Sequence, residues 1–153
     1  MSLFLRIVVI FFAAILATWA AGITIALALL GPEWHGFTGD FAERTGFWML
    51  VVFATSFTGG MVILPLLVFV VAAETLRWRS LLIYAAAGAV MLIGGYFGTG
   101  MHSRYDESVG RSPPVARETE IAAAAGVVFG LVYWAIAGRK AGAWRAREGR
   151  TAA

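Results

Sequence analysis

The sequence predicts an all-α polytopic membrane protein: a bundle of four transmembrane helices with both termini on the cytoplasmic side. Its 153 residues are 60% hydrophobic and only 14% charged, with a mean hydropathy of +0.80. A water-soluble domain of this size would have more apolar surface than it could bury. In addition, four apolar runs approach or exceed the ~20 residues that a helix needs to cross a hydrocarbon layer of ~30 Å.

The predicted spans follow one another through connections short enough to make the whole chain, residues 1–153, a single domain. The first run is too long for the apolar segment of a cleavable signal peptide, so we interpret it as an uncleaved span. A tight turn joins the second and third runs and should make them antiparallel neighbours, and the fourth run is the shortest. The spans cover residues 7–30, 47–73, 81–99 and 121–137, and a basic tail follows at 138–153.

The distribution of basic residues predicts the orientation of the bundle. Lys and Arg are enriched in cytoplasmic loops, and eight of them lie on the side of the termini against four on the other side. The eight are Arg6, Arg77, Arg79, Arg139, Lys140, Arg145, Arg147 and Arg150. Because Arg, Ala and Gly are abundant, as in GC-rich bacterial genomes, we expect a bacterial inner membrane.

Several classes of function are excluded or disfavoured by the residues that the chain lacks. It contains no cysteine, which rules out disulfides, thiolate catalysis and cysteine-ligated zinc. No phosphate loop, nucleophile elbow or HExxH motif is present, and no ionisable residue lies inside a predicted span, Glu74 being the closest. We therefore predict a protein that is not an enzyme, has no cofactor and binds no nucleic acid.

A seam of small and hydroxyl residues in spans two and three is a candidate ligand site or gate. At ~1.5 Å per residue both groups fall in the middle and outer half of the bilayer, where they could face each other. Pro65 lacks an N–H and should kink span two. The alternative is close helix packing through small residues. The candidate residues are Thr55, Ser56, Thr58, Gly59, Gly60, Pro65, Gly94, Gly95 and Thr99.

Two stripes of small residues at four-residue spacing predict close contacts between helices. Span four carries Ala122, Gly126 and Gly130, a pattern that lets another helix approach closely. Span one carries the second stripe, Ala13, Ala17 and Ala21. These stripes could serve packing within the bundle, a homo-oligomer or a membrane-protein partner.

The two histidines, His35 and His102, both fall in the outer loops among several carboxylates. Imidazole and carboxylate groups can bind zinc or another divalent metal, although this spacing matches no known metal motif.

The function that the sequence favours is that of a non-catalytic accessory, assembly or scaffolding component of the membrane. The alternative is a channel, transporter or small-ligand receptor that uses the outer half of spans two and three.

Overall fold

The computed structural model describes residues 3–31, 39–99 and 117–141. These residues form four long helices, each long and apolar enough to cross a membrane. The helices are α1 (Leu3–Leu30), α2 (Phe41–Leu76), α3 (Leu81–Gly98) and α4 (Arg117–Ile136), and a single 3₁₀ turn, Gly138–Lys140, follows α4. The prediction of an all-α chain with four candidate membrane spans is confirmed.

The helix α2 extends beyond the predicted span at both ends, because caps rather than the edge of the apolar run set its limits. Asp40 is its N-cap, and its carboxylate accepts a hydrogen bond from the backbone N–H of Glu43 (2.8 Å). At the other end Arg77 adopts the left-handed conformation (φ 56°), and the N–H of Trp78 donates to the carbonyl of Ala73 (3.0 Å). With 36 residues α2 is ~54 Å long, well over the ~30 Å hydrocarbon layer.

The helices are not all packed equally closely. Helix α4 contacts both α1 and α3 extensively, and α1 also contacts α2. The turn 77–80 connects α2 to α3, but these two helices share the smallest contact among the four neighbouring pairs of long helices. Spans two and three, predicted to be antiparallel neighbours, are therefore in contact, but their contact is the smallest of these four.

Small residues fill the centre of the bundle, while many large apolar side chains point outward. Ala13, Ala17 and Ala21 of α1 are fully buried and share one core cluster with Ala125 and Phe129 of α4. Outward-facing side chains include Leu64, Val68, Leu82 and Val90, each about 70% exposed or more. Lipid supplies the apolar surroundings of such side chains, so helix association depends on close packing of the small residues.

Candidate functional site

The residues predicted to form a gate between spans two and three are divided among several surfaces. Thr55 and Gly59 face α1, where Thr55 packs on Gly22 and Gly59 lies beside Thr18. Gly60 is open, with no neighbouring atom within 4 Å of the position that a Cβ would take. The face of α2 that carries Thr55 and Gly59 therefore differs from the face that carries Gly60.

The α3 members of the predicted gate also lie apart. Gly95 contacts the Met61 side chain of α2, whereas the Cβ position of Gly94 is open. The exposed Thr99 donates its hydroxyl to the carbonyl of Tyr96 (2.7 Å). Met61 and Gly95 thus form one contact between α2 and α3, and Gly94 lies outside it.

Three further α2 residues of the predicted gate differ in burial. Ser56 is exposed and donates its hydroxyl to the carbonyl of Val52 (2.8 Å), and Pro65 is exposed within a continuous helix. Thr58 is 1% exposed and its hydroxyl has no hydrogen-bond partner. Helical periodicity thus distributes the α2 members of the predicted gate around the helix, and the structure does not gather them on one face.

The glycine stripe of α4 packs against α3. A Cβ on Gly126 would lie 2.6 Å from the Cα of Ala89, and one on Gly130 would lie 2.9 Å from the Cα of Ala85. Across the contact Gly88 of α3 meets Gly126 and Gly130, and Ala122 is also buried. The two backbones approach so closely that only hydrogen fits at these glycines.

An apolar groove remains open between α1 and α2. Its volume is about 560 Å³. Buried or half-buried residues form its floor, among them Ala14, Gly59 and Val62, and exposed side chains form its rims. The full lining is Ile7, Ile10, Phe11, Ala14, Ile15, Thr18, Trp19, Thr55, Gly59, Val62, Ile63, Leu66, Leu67 and Val70. We call this feature the α1/α2 groove.

The lining of the α1/α2 groove has few polar side-chain groups, and these belong to Thr18, Trp19 and Thr55. Thr18 donates its hydroxyl to the carbonyl of Ala14 (2.7 Å) and presents its methyl group toward Gly59. The hydroxyl of Thr55 is buried without a hydrogen-bond partner, against Gly22. The groove can therefore hold an apolar helix or an apolar small molecule by van der Waals contact.

A buried ion pair joins the helices just beyond one end of the groove. The Nε of Arg6 donates to Oε1 of Glu74 (2.9 Å), and its Nη2 contacts the same oxygen. Nη2 also donates to the carbonyl of Ala137 (2.8 Å). The side chains of Arg6 and Glu74 are 5% and 15% exposed. Arg6 thus connects α1 to the end of α2 and to the residue that follows α4.

Aromatic rings pack together at the same end of the bundle. Tyr84 of α3 stacks on Tyr133 of α4, with ring centroids 5.9 Å apart. Phe69 of α2 meets Tyr84 edge to face at 5.1 Å, and the Tyr84 hydroxyl donates to the carbonyl of Trp78 (3.2 Å). The ion pair and these rings together fix the position of all four helices at this end.

Sequence reasoning missed the Arg6–Glu74 pair. In the sequence Arg6 counts only as a topology signal, and Glu74 only as the ionisable residue closest to a predicted span. The predicted topology could have indicated this pair, because it places the start of span one and the end of span two on the same side of the membrane. Two opposite charges at the margins of those spans are natural partners.

The predicted metal site lies outside the described residues, because His35 and His102 both do. Within residues 3–31, 39–99 and 117–141 no three His, Cys, Asp or Glu side chains come together in a metal-binding arrangement.

No protein-family model, no curated protein and no solved structure matches the chain. The geometry and composition of this chain are therefore the basis for inferring its function.

Proposed function

We propose that this chain is a non-catalytic accessory component of a membrane-protein assembly, and that its α1/α2 groove binds an apolar transmembrane helix of a partner protein. One observation carries the proposal: the groove is open, whereas the small-residue stripes of α1 and α4 are buried within the chain. Among the described residues the groove is thus a concave apolar surface that a further helix can occupy.

The shape of the groove fits a helix. On α1 its lining extends from Ile7 to Trp19, a rise of ~18 Å, or about three helical turns. The small residues Ala14 and Gly59 in the floor allow a backbone to approach, and Phe11 and Trp19 stand at the rims. Close packing of this kind drives helix association in lipid, where apolar side chains gain nothing by leaving lipid for protein.

The proposed setting is the inner membrane of a bacterium, with both termini in the cytoplasm. The excess of Lys and Arg at the end of the bundle that holds Arg6, Arg79 and Arg139 supports this orientation. The composition of the chain supports the bacterial membrane. An accessory subunit in this setting would present α1 and α2 to its partner within the plane of the bilayer.

Two neighbouring glycines of α2 provide a matched test. Gly59→Leu places a large side chain in the groove, whereas Gly60→Leu adds the same side chain at an open position. The chain is tagged at its native level, extracted in mild detergent, and its stoichiometric partners are measured by mass spectrometry. We expect wild type and Gly60→Leu to retain a membrane-protein partner and Gly59→Leu to lose most of it.

A second pair of variants keeps the test decisive if Gly59→Leu does not accumulate in the membrane. Ile63 lines the groove and Leu64 does not, and both are exposed. We expect Ile63→Ala to weaken partner binding and Leu64→Ala to leave it unchanged. Equal partner recovery from all four variants, or purification of a lone wild-type chain, would contradict the accessory role.

A specific observation favours a second candidate function, a receptor or transporter for a small apolar molecule. The volume of about 560 Å³ lies within the ~300–1,000 Å³ of typical ligand pockets. Its lining is almost entirely apolar, which suits an apolar ligand. Under this proposal Gly59→Leu reduces ligand binding or flux, and the purified wild-type chain carries no stoichiometric protein partner.

A further inference from the structure

The end of the bundle that holds the Arg6–Glu74 pair has more positive than negative charge. Glu74 is the only carboxylate that the described residues place there, and Arg6 engages it. Four further cations at this end are exposed and form no ion pair within the described part of the chain: Arg77, Arg79, Arg139 and Lys140. Their charge is available to an external anion.

Two of these cations are organised around Trp134. The indole Nε1 of Trp134 donates to the carbonyl of Arg79 (2.8 Å), and the guanidinium of Arg139 lies 4.6 Å from the centre of the Trp134 ring. Arg79 is held in addition by its Nε, which donates to the carbonyl of Ala141 (3.2 Å). These contacts hold the guanidinium of Arg139 over the ring and the guanidinium of Arg79 at the carbonyl of Ala141, with Lys140 between Arg139 and Ala141 in the sequence.

The position of this cluster in the bundle indicates the kind of anion. Arg79 lies just before the first residue of α3, and Arg139 lies just after the last residue of α4. The ends of apolar spans meet the bilayer at the level of lipid phosphates, where Trp is also enriched. Guanidinium groups bind phosphate oxygens through paired N–H donors.

We propose that Arg79, Trp134, Arg139 and Lys140 form a binding site for the headgroup of an anionic phospholipid. The phosphodiester accepts hydrogen bonds from the two guanidinium groups, Lys140 adds a third positive charge, and the indole packs beside the lipid. This interaction is independent of the α1/α2 groove, so it holds whether or not a partner helix binds there. Basic pockets between helix ends are known to select anionic lipids in this way.

The test is native mass spectrometry of the full chain in detergent, titrated with phosphatidylglycerol or with neutral phosphatidylcholine. We expect wild type to retain phosphatidylglycerol preferentially. At ~1 kcal/mol per cation, the double variant Arg79→Gln with Arg139→Gln should bind it about 30-fold more weakly. The matched control, Arg44→Gln with Arg117→Gln, removes two arginines from the other end of the bundle and should leave binding unchanged.

Each other outcome overturns the proposal. Equal retention of both lipids would show that charge does not select the headgroup, and equal loss in the control variant would show a general effect of net charge. Inorganic phosphate that displaces the lipid at equal concentration would identify a free-anion site instead. If the double variant does not fold, Lys140→Gln and Arg139→Gln are tested singly. Each should lose about fivefold, and unchanged binding in both would contradict the site.

Discussion

Arg6 and Glu74 show what a pair of charges can do at the margin of a membrane bundle. They are separated by 68 positions in the sequence and are brought together by the packing of α1 against α2. Arg6 also donates to the carbonyl of Ala137, so this one side chain of α1 contacts two other segments. A charge this well buried lowers the stability of the folded protein unless it is paired. The effect of each charge on stability therefore depends on its partner.

This dependence predicts a non-additive mutational effect. Arg6→Gln leaves Glu74 without its cation and should lower the free energy of unfolding by about 3 kcal/mol. Adding Glu74→Gln should restore part of that loss, with a coupling free energy of about 1–3 kcal/mol. The measurement is an equilibrium unfolding titration in mixed micelles, with the exposed Arg44→Gln as control. Additive losses in the double variant would show that the pair does not stabilise the bundle.

At the scale of the helices, the α3–α4 contact depends on glycine. Gly88, Gly126 and Gly130 bring two backbones so close that added Cβ atoms would meet backbone atoms of the opposite helix. Backbone cannot move aside as a flexible side chain can, so the helices themselves would have to separate. The contact between α1 and α2 at Gly22 and Thr55 has the same character and forms the end of the open groove.

Gly126→Ala and Gly94→Ala should therefore have opposite consequences, although each places one methyl group on a membrane helix. Alanine at 126 overpacks the contact and should cost about 1–3 kcal/mol of stability. Alanine at 94 meets open space and should be neutral, or stabilising by up to about 1 kcal/mol, since glycine is a weaker helix former. Thermal unfolding in detergent compares the two. Equal destabilisation would show that α3 and α4 do not pack through Gly126.

The sequence predicts the number of helices well and their contacts poorly, for a physical reason. Run length is a property of one segment, and four runs indicate four spans. Hydrophobicity does not encode which face of a span packs against which neighbouring helix, because these helices are apolar around most of their circumference. Thr55 could equally have faced α3, but it faces α1. The predicted small-residue stripes include Gly126 and Gly130 but not Gly22 or Gly88, which also lie in close helix contacts.

At the scale of the whole molecule, the ends of the bundle differ in charge, which predicts its direction in the membrane. The chain has no native cysteine, so single cysteines report position without background. Ser80→Cys lies in the turn between α2 and α3, and Glu118→Cys lies near the start of α4, both at exposed positions. A membrane-impermeant maleimide added to intact cells should label 118 and leave 80 unlabelled until the membrane is permeabilised. The reverse pattern would invert the proposed orientation.

The proposed accessory role requires that the α1/α2 groove hold a helix of another protein. A photoreactive amino acid at Leu67, on the rim of the groove, tests it directly in native membranes, and Val90 on α3 is the matched exposed control. Illumination should yield one defined adduct with another protein from position 67 and none from position 90. Adducts with lipid alone at both positions, or an adduct of twice the mass of this chain, would contradict the claim.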